Sequence, residues 1–239
     1  MLPKIDVPTY EIEIPSNNEK ITVRPFTVKE EKLLLMAMES QDVNEIVNTV
    51  KQVINNCIIK GTVNIDKMPF FDIDFLFIFL RAKSIGESVE VNLTCNNEVD
   101  GKTCGNVFPA MMDIAKCEIV RPDAISEDIK LNAQQGVKMR YPNYAEIKRV
   151  ELGNEVDEQT NTIVNAIDYI YDAKGMYSYK DYSKEELKEF VEGLTEANYK
   201  QMMEFVDNFP TFVVKMESTC TKCGFHHNVR YTDFYDFFM

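Results

Sequence analysis

The chain has 239 residues, 45% of them apolar and 27% charged, with only nine glycines and nine prolines. Such a composition belongs to a folded globular protein and excludes collagen-like and Pro/Gly-rich disordered chains. With 39 acidic against 26 basic residues the net charge is −13, which works against nucleic-acid phosphates and anionic membrane surfaces as partners.

In chain order, the first predicted element is a hairpin. Tyr10 to Ile14 alternates apolar and polar residues, Ile21 to Val23 does so again, and the stretch between is turn-rich. Thr27 and Glu30 have the spacing of a capping box, so a helix starts near Val28. Asp42 and Glu45 repeat that spacing. The helix after them carries Ile46, Val50, Val53, Ile54 and Cys57 on one face, and Gly61 is placed to stop it. A third helix, over about 69–85, is apolar nearly all round and reads as a core helix. Its apolar run, Phe70 to Leu80, is about half of the roughly 20 residues a membrane span needs, and Asp72 and Asp74 interrupt it. No membrane insertion is expected.

Val89, Val91 and Leu93 then alternate into Cys95, and extended segments continue from Gly105 through Ile119. Ile129 to Leu131 and Val137 to Met139 flank a Gln-Gln-Gly turn and predict a second hairpin. From there the periodicity predicts helices to about residue 208. One covers 144–152, and one covers 158–173 with Ile163, Ile167 and Ile170 inward. A third is capped by Ser183 and Glu186, and a fourth opens at Thr195 with Met202, Phe205 and Val206 on its apolar face. Phe212 to Met216 leads as a strand into Cys220. Residues 151–210 hold fourteen acidic side chains against five lysines. A solvated helical face accounts for this charge, and a docking surface for a basic partner is the sharper reading.

The amino terminus carries no apolar signal stretch, so a reducing cytoplasm is the expected compartment. The six cysteines there read as metal ligands or core residues before disulfides. Cys220-Thr-Lys-Cys223-Gly224 lies between two strand-like segments. Two intervening residues let both sulfurs face one tetrahedral site, and the following glycine lets the backbone turn toward them. Cys95 and Cys104-Gly105 have the same flanks, with a polar, turn-prone loop in a longer C-x8-C spacing. Cys95, Cys104, Cys220 and Cys223 are therefore expected to hold one structural zinc ion in a split zinc ribbon, with no open position for substrate. A redox pair would need a thioredoxin-like βαβ context. His226 and His227 could replace a cysteine ligand but read as solvent-facing strand residues, and Cys57 and Cys117 as buried small hydrophobes.

No nucleophile elbow, phosphate-binding glycine loop or dinucleotide fingerprint is present, and the two histidines are adjacent. The carboxylates read as surface charge, so an enzyme is the weaker class. The carboxyl-terminal stretch from Tyr231 packs five aromatics into nine residues, among them Phe234, Tyr235, Phe237 and Phe238. These either cover the ribbon or anchor a partner as interface residues.

Several stretches together resemble one family. They are Leu2 to Glu11 with Ile14-Pro15-Ser16, Val23 to Ala37, Val91 to Asn97, Cys104-Gly105, Phe205 to Pro210, the Cys220–Gly224 turn and Asp236-Phe237-Phe238. In this order they resemble the baseplate hub proteins of T-even-type contractile-tailed bacteriophages. The resemblance implies a non-enzymatic viral protein acting in tail baseplate assembly, with other tail or baseplate proteins as partners. It also implies that the protein resides in the host cytoplasm during assembly and in the virion tail baseplate. The expected fold is α+β, mainly helical, with an amino-terminal hairpin and the split ribbon. Residues 1–86 would form a hairpin-plus-helical subdomain, and 87–119 with 211–239 the ribbon and aromatic tail. Residues 120–210 would be an inserted, mainly helical acidic subdomain. The alternatives are a transient tail-assembly chaperone absent from the virion, and a hydrolase or redox enzyme with an unrecognised site.

Overall fold

The computed structural model of the chain describes residues 6–122, 125–151 and 158–232. The alternating termini pair as expected: β1 (Tyr10–Glu13) and β2 (Lys20–Val23) are antiparallel with Ile12 opposite Ile21, and β3 (Ile58–Lys60) joins the other edge of β2. Between them run α1 (Val28–Ser40) and α2 (Val43–Cys57). The Thr27–Glu30 capping box forms, while Asp42 caps α2 by accepting from the N–H groups of Asn44 and Glu45. The second helix ends at Cys57, before Gly61, because the chain passes directly into β3. Gly61 turns the chain out of that strand instead. Its φ is 113°, and a Cβ there would lie 2.6 Å from Ile21 Cγ2.

The core helix is α3 (Phe70–Ser84), with Ile73, Leu76, Phe77, Ile78 and Leu80 buried. Asp72 and Asp74, which break its apolar run in sequence, are buried too. Asp74 lies 3.8 Å from Lys148, both side chains 4% exposed, and this buried pair joins α3 to α4 (Tyr144–Glu151). Asp72 accepts from the Ser16 N–H at 3.0 Å. Burial outweighs that bond and pushes its carboxyl up to about 6. A raised value means the native state favours the neutral acid: the group costs nothing below the unfolded value near 4 and destabilises as pH rises through about 6. Asp72→Asn is therefore expected to raise stability by about 1–2 kcal/mol at pH 7.5 and to give no gain at pH 4. Urea unfolding at the two values checks this.

The two strands that enter and leave the first cysteine pair are β4 (Ser88–Thr94) and β7 (Val107–Asp113), antiparallel over their whole length. The short β5 (Glu98–Val99) and β6 (Lys102–Thr103) lie between them in sequence. After β8 (Glu118–Val120), the predicted second hairpin forms as β9 (Asp128–Lys130) and β10 (Gly136–Met139).

The following stretch corrects the expectation of helices up to residue 208. The helix α5 (Glu158–Ala166) stops seven residues early, and β11 (Ile167–Asp172) with β12 (Gly175–Ser178) forms a hairpin. They complete a four-stranded sheet in the order β12-β11-β10-β9. Ile167-Asp-Tyr-Ile-Tyr-Asp172 is β-branched and aromatic, and β10 offers it a free edge. Asp172 then fixes the turn by accepting from the N–H groups of Lys174 and Gly175. The protein is thus mixed α+β rather than mainly helical. Then α6 (Lys184–Glu192), with its Ser183–Glu186 capping box, and α7 (Glu196–Asp207) follow as predicted. Finally β13 (Thr211–Thr219) pairs with β14 (His226–Tyr231) on one side and β8 on the other. Buried apolar residues from Ile12 to Cys220 form one continuous cluster.

Candidate metal centre

The two cysteine turns stand at the tips of two hairpins, β4–β7 and β13–β14. Their main-chain bonding is the same. Cys95 N–H donates to Asn106 O at 2.8 Å and Gly105 N–H to Cys95 O at 2.9 Å. Cys220 N–H donates to Phe225 O at 2.8 Å and Gly224 N–H to Cys220 O at 3.0 Å. Gly105 and Gly224 have φ of 61° and 72°, the left-handed conformation that turns each chain back after its second cysteine. The first turn differs by its insert. The predicted loop is a small hairpin, β5–β6, around Asp100-Gly101, both with positive φ as a tight hairpin turn requires. The Asp100-Gly101 pair is the sequence signal that would have marked this hairpin.

All four sulfurs lie within 4.8 Å of one another. Cys95 Sγ is 3.6 Å from Cys223 Sγ, and Cys104 Sγ is 3.9 Å from Cys220 Sγ. Both close pairs cross from one hairpin to the other. A disulfide would need about 2.05 Å. An ion held by four thiolates at about 2.3 Å in a tetrahedron separates its ligands by about 3.8 Å. The cluster therefore fits one four-coordinate metal ion, and Cys95 and Cys220 are buried while Cys104 and Cys223 are half-buried.

The electrostatics point the same way. Burial opposes ionisation of Cys220, but the N–H groups of Cys223 and Lys222 and the Asn106 amide outweigh it and lower the thiol to about 6. Burial raises Cys95 to about 12, and the neighbouring sulfurs add to the rise. Close thiolates repel one another, so Cys220 ionises readily and Cys95 does not. A divalent ion bound there would remove that repulsion and hold all four sulfurs deprotonated.

The remaining sequence candidates are placed apart from this cluster. His226 is exposed, its Nδ1 2.7 Å from Thr219 Oγ1. His227 is buried, contrary to the expectation of a solvent-facing residue. The alternation of β14 turns it inward, where it packs with Phe225 and Phe108 at ring-centroid distances of 4.9 and 5.8 Å. Cys57 is fully buried and Cys117 half-buried. Burial pushes both thiols up to about 12. Phe234, Tyr235, Phe237 and Phe238 lie outside the described residues.

One groove of about 360 Å³ gathers polar side chains, between β11, β12 and α6, with Tyr171, Asp172, Tyr177, Tyr182 and Glu186 on its walls. Its carboxylates are committed to the backbone. Asp172 is lowered by the N–H of Lys174 and by its other donors, and Glu186 by the N–H and hydroxyl of Ser183. Neither is poised near neutral pH for general acid–base work.

The four converging thiols could hold a metal ion, and a set of four protein ligands around one ion is the arrangement of structural rather than catalytic sites. A family model described as T4 bacteriophage base plate protein matches residues 7–239, and the chain belongs to that family. It is a structural phage tail protein by that membership. No curated protein and no solved structure matches the chain. Among the described residues, no helix is long and apolar enough to cross a membrane.

Proposed function

We propose that this chain is a non-enzymatic component of the baseplate hub that acts through contacts with other tail proteins. In this reading Cys95, Cys104, Cys220 and Cys223 hold one structural zinc ion, and the two hairpins are the halves of a split zinc ribbon. The observation that carries it is the convergence of four sulfurs from distant parts of the chain, at ion-coordinating separations, in a baseplate family member. A tetrahedral four-thiolate set favours zinc or iron–sulfur chemistry, and separations that fit a single ion favour zinc.

The ion would tie residues 87–119 to 211–239 across everything between them. Residues 1–86 and 120–210 then form the bodies on either side of the ribbon. The acidic surface of residues 151–210 and the aromatic residues Phe234, Tyr235, Phe237 and Phe238 are the docking elements we assign to partner contacts. Metal analysis of protein purified without chelator is expected to find one zinc per chain. Less than half an equivalent in a folded sample would sink the zinc reading. Mass spectrometry of purified virions is expected to find the chain in whole-number stoichiometry with other baseplate proteins. Its absence there would replace the hub component by a transient tail-assembly chaperone.

A further inference from the structure

The first cysteine turn does more than supply two sulfurs. Asn97 Nδ2 reaches across to Cys223 Sγ at 3.7 Å, and Asn106 Nδ2 reaches Cys220 Sγ at 3.5 Å and Thr221 Oγ1 at 3.1 Å. Both asparagines belong to the β4–β7 hairpin, and both sulfurs belong to the β13–β14 hairpin. The same two residues are held by their own backbones. Asn97 O accepts from Cys104 N–H at 2.8 Å, and Asn106 O accepts from Cys95 N–H at 2.8 Å. Each carboxamide is thus anchored beside its own cysteines and aimed at a sulfur of the opposite turn. The second turn returns no such side chain to the first turn's sulfurs among the described residues. It carries Lys222, whose N–H donates to its own Cys220 Sγ at 3.4 Å and whose Nζ donates to Cys104 O at 3.3 Å.

We propose that Asn97 and Asn106 are positioning residues of the metal centre, which hold the opposite turn's two sulfurs in place and set how tightly the ion is kept. This rests on the reading of the four cysteines as metal ligands. The chemistry is that of a neutral donor on an anionic ligand. Four thiolates around a divalent ion leave two net negative charges in a half-buried site. A carboxamide N–H draws electron density from the sulfur it touches without competing for the metal. Outer partners of this kind typically change metal affinity by about 10–100-fold when removed. Because the donors come from the other hairpin, they also bring the four sulfurs together before an ion arrives.

The test uses the full chain and two variants of similar side-chain volume, Asn97→Leu and Asn106→Leu. Thr221→Ala serves as a control that removes the other partner of Asn106 and leaves the sulfur contact. Each protein is stripped, reloaded with zinc or cobalt(II), and titrated with a competing chromophoric chelator. The two leucine variants are expected to bind zinc about 10–100-fold more weakly than the parent chain. Their cobalt forms are expected to show the sulfur-to-metal charge-transfer band at lower energy, because a sulfur without its donor gives up electron density more easily. Thr221→Ala should change neither quantity. Leucine variants with parental affinity, or with weaker binding but an unshifted band, would overturn the assignment, since a packing defect alone leaves the sulfur's electronic state unchanged. A parent chain that takes up neither zinc nor cobalt would instead remove the metal reading itself. That result is separate from the variants' behaviour.

Discussion

A chain with both Cys220→Ser and Cys223→Ser is expected to bind no zinc and to melt roughly 10 °C or more below the parent chain. Two serines cannot replace thiolates as ligands for a soft four-coordinate site, and the half-site left behind holds an ion poorly. The loss is large because of where the ligands lie. Cys95 and Cys104 sit at the tip of one hairpin, Cys220 and Cys223 at the tip of another, and residues 105–219, nearly half of the chain, lie inside the loop that a bound ion closes. Freeing the two tips restores that loop's entropy to the unfolded chain. It also loosens the ring contacts of His227 with Phe108 and Phe225. Calorimetry of the parent chain with and without a strong chelator should reproduce most of the drop, and the same chelator should leave the variant unchanged. Acid should act like the chelator, because the ligands must lose protons to bind, so affinity falls as pH falls. Equal melting temperatures for parent and variant would show that the ion contributes nothing to the fold.

Glu30→Ala is expected to cost about 3 kcal/mol of stability. The carboxylate is 6% exposed and receives a two-pronged contact from Arg24, at 2.7 and 2.9 Å. It also accepts from Thr27 N–H at 2.7 Å, closing the cap of α1. Arg24 in turn donates its own N–H to Cys57 O, at the end of α2. The Glu30 side chain therefore joins the end of β2 to the start of α1, and the Arg24 main chain carries the link to the end of α2. Removing it leaves a half-buried guanidinium without its anion and an uncapped helix. The hydrogen bond from Arg24, more than the opposing burial, lowers Glu30 to about 2. A lowered carboxyl contributes stability that is fully present above the unfolded value near 4.5 and is lost as pH falls toward 2. The difference between parent and variant should accordingly shrink across that window, as read by denaturant unfolding at several pH values. Glu30→Gln should lose less, because its carbonyl can still accept from Thr27. A variant difference that is flat with pH would show that the pair is not what Glu30 contributes.

The elements that the sequence makes legible are those whose signals are local. The capping boxes at Thr27 and Ser183, the alternation of Tyr10 to Glu13 and the Asp42 cap all concern residues within one turn or one strand. The stretch 158–172 is different. Ile163, Ile167 and Ile170 fit a helical face, and the same residues fit a helix end followed by a strand. The choice falls to β10, whose free edge pairs with Ile167 to Tyr171. A neighbour some thirty residues away cannot be read from a window of ten. His227 has the same kind of explanation. Strand alternation allows either face to be inner, and only the packing of Phe108 against it decides which.

The cysteines divide along the same line. The C-x2-C spacing of the second pair, the turn-prone C-x8-C insert of the first and the glycine after each determine, with no tertiary information, that each turn can present two sulfurs to one point. Composition alone likewise determines the acidic net charge of the chain. Only the tertiary structure decides that the two turns face each other, with cross-hairpin sulfur separations of 3.6 and 3.9 Å. It alone brings Asn97 and Asn106 onto the opposite sulfurs. The reason is physical: turn geometry follows from short-range backbone sterics. The meeting of two hairpins far apart in the chain follows from the single core they share.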